Sequence, residues 1–322
     1  MKKLPVICAI LLALALPLYS GTDALSLIPN DAVTVGVVRL ADMRSSPLSS
    51  TLFEQTDKIS ANGDAEDFLR DAGLQPTRDI DVVMVATMLR TPLGHDNDVI
   101  IAADGRFNPD RLSQALLARG AVKKSAANGT YFMLPKERRG DEDPNGAAAF
   151  PDARLALVGS EAAVIAALDA RANGGTSFFT AGGLGRDYNR VDSHATAWAL
   201  VDVARAQRLA DGPRVSSRST SGQALNSALR SVRTVALWAT DNGDALKLGA
   251  FGLSNDQETL QLLEDTLRGA LAAMRLAVQD KSPDLVSVLR RFNVARTDDA
   301  VTVSGSVPAA AFREYVHKPA TR

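Results

Sequence analysis

The residues best suited to chemistry lie in one acidic segment, DEDPNGAAAFPD, at positions 141–152. Asp141, Asp143, Asn145 and Asp152 occupy positions 1, 3, 5 and 12 of a calcium-binding loop, and a glycine occupies position 6. Carboxylate and amide oxygens at this spacing can surround a hard cation, while the glycine permits a sharp turn. The segment therefore suggests a calcium-dependent binding module as one possible function.

The same segment also has a simpler interpretation as a solvated turn. Asp152 is one methylene shorter than the glutamate that usually closes such a loop with both oxygens. Gly140 and Pro151 disfavour the two helices that flank calcium loops, and Asp, Pro, Asn and Gly are ordinary turn formers. Calcium is the one cofactor that the sequence suggests, and the turn is the stronger expectation.

No other motif brings reactive groups together. His95, His194 and His317 are the three histidines, and no two of them have the spacing of metal ligands. The chain lacks the G-x-S-x-G, S-x-x-K and H-E-x-x-H motifs of large hydrolase classes. The sequence thus nominates no catalytic and no cofactor-binding residue. It leaves open a carboxylate-dependent hydrolase whose acidic pair meets only in the fold.

The N-terminus is typical of an export signal. Lys2 and Lys3 precede an apolar run at positions 4–18, which is too short to span a membrane. Small residues at Thr22 and Ala24 predict cleavage after Ala24, with Gly21 as the fallback site. We therefore expect residues 1–24 to be a signal peptide, the mature protein to be periplasmic or secreted, and no integral membrane span to remain.

Composition narrows the choice of partner. Cleavage removes Lys2, Lys3 and Asp23, leaving 36 − 2 = 34 basic and 37 − 1 = 36 acidic residues. A net charge of about −2 without a basic cluster disfavours nucleic acid. The single cysteine, Cys8, is lost with the signal, so the mature fold must depend on core packing. A protein or a cell-envelope component is the expected partner.

Strand and helix patterns predict an α+β fold in two related halves, residues 25–172 and 194–317. Residues 173–193 form a glycine-rich linker and 318–322 a tail. In the first half, Asn108 is predicted to cap a helix, and a hairpin turns at 128–129. In the second half, Ser254 and Gln257 form a predicted capping box. Each half is expected to be a mixed or antiparallel sheet with helices packed on one face.

The run IDVVMV at positions 80–85 is almost continuously apolar. Alternating apolar and polar residues would indicate a strand with one face in water, whereas a continuous apolar run is typical of a strand buried on both faces. We therefore expect this strand to be covered on both sides.

The start of the mature chain carries a resemblance. Pro29-Asn30-Asp31-Ala32 precedes a strand, and the order Leu-x-x-x-Arg-x-Ser-Pro-Leu follows at positions 40–48. This order resembles exported bacterial proteins of unknown function that have duplicated α+β halves. The resemblance implies that architecture and supplies no site residues.

These observations favour an exported, non-enzymatic binding or structural protein of unknown ligand. A cleft with two convergent carboxylates would favour the hydrolase, whereas a wide apolar surface without such a cleft would favour the binding protein.

Overall fold

The computed structural model describes residues 22–29, 31–46, 48–49, 63–90, 97–135, 146–173, 178, 183–209, 231–279 and 282–312. Within them the chain forms one antiparallel sheet of twelve strands. The strands are β1 Thr34–Arg39, β2 Ile80–Leu89, β3 Asn97–Gly105, β4 Val122–Ala126, β5 Gly129–Met133, β6 Gly146–Ala149, β7 Leu155–Ser160, β8 Ala197–Asp202, β9 Thr234–Asp241, β10 Ala245–Leu253, β11 Asn293–Arg296 and β12 Ala300–Pro308.

The strand order is β11-β12-β10-β9-β8-β1-β2-β3-β7-β6-β5-β4. Strands β1 and β8 pair at the centre, with Gly36 opposite Ala199. From this pair outward, the sheet order is β1-β2-β3-β7 on one side and β8-β9-β10-β12 on the other. In each half the first three strands therefore lie in chain order and the last strand of that half comes next. The prediction of a separate sheet in each half is therefore wrong, because β1 and β8 bond along their edges and join the halves into one sheet.

Ten helices are described, some of a single turn. They are α1 Thr22–Leu25, α2 Leu40–Ser45, α3 Gly63–Ala72, α4 Pro76–Asp79, α5 Pro109–Ala118, α6 Glu161–Ala172, α7 Gly185–Tyr188, α8 Val203–Leu209, α9 Gln257–Val278 and α10 Pro283–Leu289. None of the helices in these ranges combines the length and apolarity needed to cross a membrane. The α+β class predicted from the sequence is confirmed.

One face of the sheet, the inner face, carries the main hydrophobic core. Val35, Met84 and Leu200 point into it and are almost completely buried. Helix α6 covers this face with Val164 and Leu168, together with the segment that follows α1. Alternate residues of the strands therefore face a continuous apolar layer.

Among the described residues, helices cover the opposite, outer face only at its flanks. Towards β7 and β6, helix α5 packs Leu112 and Leu116 against the sheet. Towards β12 and β11, helix α9 packs Leu260 and Leu263 against it. Helices therefore lie on both faces, and the expectation of helices on one face is wrong. Each amphipathic helix buries its apolar side against the nearest apolar strands, and those strands are apolar on both sides.

Local turn and capping chemistry accounts for several element boundaries. The side chain of Asn108 accepts a hydrogen bond from the backbone of Arg111 at 3.0 Å, so the predicted cap of α5 is confirmed. The predicted capping box at Ser254 is wrong. Helix α9 is capped by Asp256, whose carboxylate accepts from the backbone of Thr259 at 2.9 Å.

Ser160 stands at the N-cap position of α6, but its hydroxyl makes no capping bond. The hydroxyl oxygen is buried and has no hydrogen-bond partner among the described residues.

The described chain begins in the core. Ala24 is 4% exposed and Leu25 is 3% exposed, and both belong to the inner-face cluster. The predicted cleavage site after Ala24 thus falls within the single turn of α1, whereas the fallback site precedes it. Residues 1–21 lie outside the described ranges, and the signal peptide stays a prediction.

Candidate functional site: an apolar trough on the outer face

A continuous cross-strand row of apolar residues traverses the outer face. Strand pairing places its members side by side from one strand to the next. In sheet order, this apolar row consists of Val294, Val303, Ala250, Leu237, Ala199, Gly36, Val85, Ile101, Val158, Ala148 and Phe132. The row reaches Lys123 only on the edge strand β4.

The two ends of the apolar row are buried and its centre is exposed. Val294 and Phe132 are 5% and 4% exposed, because α9 and α5 lie over them. In contrast, Leu237 is 57% exposed, and Val85, Ile101 and Val158 are each close to 38%. The outer face of the central strands is thus open between two helical flanks.

This open region is concave and encloses a volume of about 610 Å³. We call it the trough. Its outer-face lining comes from β1, β2, β8, β9, β10 and β12, with one residue that follows α10. The residues that line the trough on this face are Gly36, Val38, Val83, Val85, Ala197, Ala199, Leu237, Ala239, Leu248, Ala250, Phe292 and Val303. Six adjacent strands make the trough about 24 Å wide across the sheet.

Phe292 closes the end of the trough beside β12. Its ring lies over Gly305, where a Cβ atom would come within 2.4 Å of a ring carbon. Gly305 pairs with Leu248, which also lines the trough. The glycine therefore allows the aromatic ring to approach the strand closely and form an apolar wall.

No charged or hydrogen-bonding side chain lines the outer face of the trough among the described residues. Val85 shows how this departs from the sequence expectation: it belongs to the continuous apolar run of β2, yet it is 38% exposed. The prediction that this strand is covered on both sides is therefore wrong. The trough is instead a wide, exposed apolar surface.

A cluster of four arginines and three aspartates lies just beyond the trough, at the ends of β2 and β3. Its members form ion pairs with one another at 2.5–3.8 Å. This arginine cluster comprises Arg44, Arg78, Arg106, Arg154, Asp79, Asp81 and Asp104. Asp81 stands two residues before Val83 in the same strand, a distance of about 7 Å along β2.

Three arginines of the cluster each pair closely with one carboxylate. Arg44 lies 2.5 Å from Asp81, and Arg154 lies 2.5 Å from Asp104. Arg78 lies 2.7 Å from the carboxylate of Asp79, which is 7% exposed. The hydrogen bond from Arg78, the largest effect, lowers the pKa of Asp79 even though burial acts in the opposite direction.

Arg106 is the fourth arginine of the cluster and pairs differently. Its guanidinium donates a hydrogen bond to the backbone oxygen of Arg78, and its nearest carboxylate atom, on Asp81, is 3.8 Å away. The side chain is 55% exposed. The cluster therefore has one positive charge in excess, and that charge is accessible at the end of the trough.

Asp241 lies on β9 at the same end of the strands, and polar neighbours satisfy its carboxylate. Burial raises its pKa, but the hydrogen bonds from Ser46, Ser49 and the backbone of Gly243 outweigh burial and leave the pKa lowered. Gly243 adopts a positive φ of 78° in the β9–β10 turn, which explains the glycine there. Asp241 thus acts as a structural anchor for the segment after α2.

The acidic segment at 141–152 is described only in part. Asp141, Asp143 and Asn145 lie outside the described residues. Asp152 accepts hydrogen bonds from the backbones of Arg154 and Leu155 at 2.5 and 2.9 Å, and Arg171 forms an ion pair with it. These bonds are typical of an Asx turn. Gly146 belongs to β6 and pairs with Ser160, so it occupies an extended strand.

The calcium site stays a prediction. Among the described residues, no group of three or more His, Cys, Asp or Glu side chains could hold a metal ion. His194 is 87% exposed beside Asp192, and His95 and His317 lie outside the described ranges. A calcium titration followed by thermal melting tests the loop, and we expect no shift at millimolar calcium, since Asp152 is already bound by Arg171.

Sequence reasoning missed the trough because it assigned apolar strands without locating their covering helices. The available signal was composition: β2, β8 and β10 are apolar at nearly every position, and β1 and β9 at most positions. The two helices that pack on the outer face, α5 and α9, cannot cover all of these strands, since a helix is about 10–12 Å across.

Comparisons with known proteins add little to this picture. No family model matches the chain, and no curated protein matches it. Three solved structures of TP0453 are similar to this chain. Crystal forms III, I and IV have TM-scores of 0.49, 0.48 and 0.49 at 10%, 10% and 11% identity. They cover 91–93% of this chain and 96–100% of theirs. At these values the similarity carries no inference about ligand or activity.

Proposed function

We propose that this chain is an exported, non-enzymatic binding protein whose binding surface is the trough. The supporting observation is the exposed centre of the apolar row, where Leu237 and Val85 line the trough and face solvent between two helical flanks. Contiguous exposed apolar surfaces on proteins mark binding sites more often than scattered apolar residues do. Burying this surface against a ligand supplies the driving force for binding.

The chemistry of the lining supports binding rather than catalysis. Glycoside hydrolysis and related reactions need two carboxylates at a fixed separation, and acyl transfer needs a nucleophile with its base. None of the described outer-face lining residues of the trough carries such a group. The nearby aspartates of the arginine cluster are already bound by guanidinium groups.

Binding of a neutral apolar dye, N-phenyl-1-naphthylamine, tests this proposal. The dye should bind the native protein with enhanced fluorescence, and Leu237→Asp should weaken binding by at least about tenfold, because burying an unpaired charge is costly. Leu262→Asp on α9 is the matched control, since Leu262 is 54% exposed and does not line the trough. Equal loss of binding in both variants, or no saturable binding at all, would contradict the proposal.

Export belongs to the same proposal. It rests on the Lys2-Lys3 start, the apolar run and the small residues before position 25. N-terminal sequencing of protein recovered outside the cytoplasm should give a start near Leu25. Recovery of an intact Met1 from a soluble cytoplasmic pool would contradict export.

We also propose that the halves arose by duplication. The support is the shared outward strand order and the equivalent helix starts, since Asn108 and Asp256 each cap a helix three residues after the third strand of their half. In an experimental structure, residues 31–172 should superpose on 194–316. If α5 and α9 then fall at different sheet positions, the halves are not related in this way.

A further inference from the structure

We infer that the trough binds the acyl chain of a free anionic single-chain amphiphile, of the fatty-acid class, with its anionic headgroup at Arg106. This inference rests on the proposed binding function and specifies its ligand. It follows from two adjoining surfaces of opposite character, the uncharged trough and the arginine cluster at its end.

The lining of the trough suits an acyl chain. Ligand sites usually combine apolar walls with a few polar groups that orient a polar ligand. The described lining here offers walls such as Val85, Leu237 and Phe292 but no polar side chain. Its volume of about 610 Å³ falls within the range of about 300–1,000 Å³ typical of ligand sites. A ligand held there must therefore be apolar along its bound length.

The arginine cluster supplies the complementary site for a negative charge. Arg44, Arg78 and Arg154 each have a close carboxylate partner, whereas Arg106 lies 3.8 Å from Asp81 and is half exposed. A guanidinium presents several donors in a planar fork that matches a carboxylate. The charge in excess thus favours an anionic headgroup over a neutral or cationic one.

The two surfaces meet at the ends of β2 and β3. Val83 lines the trough. Asp81, a member of the arginine cluster, stands two residues before Val83 in β2, about 7 Å away along the strand. Arg106 directly follows Gly105, the last residue of β3, which pairs with Ile80. A ligand with its headgroup here can lay its chain across β1, β8 and β9 towards Phe292. The dimensions therefore allow one molecule to use both surfaces.

A second copy of this chain fits the trough less well. Stacked sheets pack about 10 Å apart, but α5 and α9 stand above the outer face on either side of the trough. In a symmetric pair these helices would meet before the two sheet centres could make contact. A slender chain can reach the floor between the flanks.

Displacement of bound N-phenyl-1-naphthylamine by monomeric alkyl ligands tests the inference. Decanoate and dodecanoate, below their micelle-forming concentrations, should displace the dye. Dodecanoate should bind about fourfold more tightly than decanoate if half of the surface of each additional methylene is removed from water. Dodecanoate should bind about fivefold to tenfold more tightly than 1-dodecanol, a preference that is screened by salt.

Three variants separate the headgroup from the chain. Arg106→Gln should abolish the preference for dodecanoate while leaving dodecanol affinity unchanged, and Arg106→Lys should keep most of it. Arg190→Gln is the control, since Arg190 pairs with Asp299 away from the trough and is similarly exposed. An undiminished preference in Arg106→Gln would overturn the headgroup assignment.

The remaining outcomes distinguish this inference from the proposed function. If the dye binds and Leu237→Asp abolishes binding, but neither dodecanoate nor dodecanol displaces it, the trough is a binding surface for another ligand and this inference is wrong. If the dye itself does not bind, equilibrium dialysis with dodecanoate decides the inference, and the absence of saturable binding overturns it. Binding to phosphatidylglycerol vesicles without any binding of monomeric dodecanoate would assign the surface to a membrane and overturn it too.

Discussion

Replacing Trp198 by alanine should lower the free energy of unfolding by about 3–5 kcal/mol, the range for removing a large aromatic side chain from a core. Trp198 lies on β8 and is 4% exposed. Its ring centroid lies 4.9 Å from that of Tyr188 and 6.5 Å from that of Phe178. The variant loses apolar burial and two aromatic contacts and leaves a cavity beneath the centre of the sheet.

Urea unfolding followed by far-ultraviolet circular dichroism measures this effect, because fluorescence would change with the tryptophan itself. The midpoint should fall without a change of slope, since the surface exposed on unfolding is almost the same. Leu276→Ala is the control: Leu276 is 71% exposed on α9, so its loss should change stability by less than about 0.5 kcal/mol. If Trp198→Ala lowers the free energy of unfolding by less than about 1 kcal/mol, β8 is not a main part of the hydrophobic core.

Trp198 also explains why the centre of the sheet can stay open on its outer side. Its neighbours Ala197 and Ala199 point outward into the trough, while Trp198 itself packs into the inner core. Each strand needs one well-packed face to be stable, and the inner face provides it. The outer face is therefore available for a ligand.

The parts of this fold that the sequence predicts correctly depend on local chemistry. Asn108-Pro109 specifies a helix start, because the side chain of Asn108 bonds the backbone three residues on and proline suits the first turn. The hairpin between β4 and β5 forms as predicted, but its two turn residues are 127 and 128 rather than 128 and 129, since Gly129 pairs with Ala126 as the first residue of β5. Such signals need only a few neighbouring residues, so one sequence suffices to find them.

The parts that sequence reasoning misses depend on distant partners. Ser254 and Asp256 are both good capping residues, and the choice between them depends on where β10 ends and α9 can begin. The pairing of β1 with β8 joins residues about 160 positions apart. Whether Val85 is covered likewise depends on where α5 and α9 come to lie. No local pattern contains this information, and the trough is therefore visible only in the fold.

Gly159→Ala should lower the free energy of unfolding by about 2–3 kcal/mol, at the upper end of the cost of overpacking. Gly159 lies on β7 opposite Ile100, and a Cβ atom there would come within 2.1 Å of the backbone oxygen of Val99. The atoms it meets next, at 3.0 and 3.1 Å, are also backbone atoms of β3, so no side-chain rotation can relieve the clash. Strands β3 and β7 would have to move apart.

Gly36→Ala provides the matched control for this prediction, because it adds the same methyl group to a central strand. There the nearest heavy atom is the backbone oxygen of Trp198 at 3.8 Å, which is ordinary contact. Gly36→Ala should therefore leave stability unchanged or raise it by up to about 1 kcal/mol, since alanine loses less backbone freedom on folding. Urea midpoints for the two variants measure the difference. Equal midpoints would mean that β3 and β7 are not held at the close spacing that requires glycine at position 159.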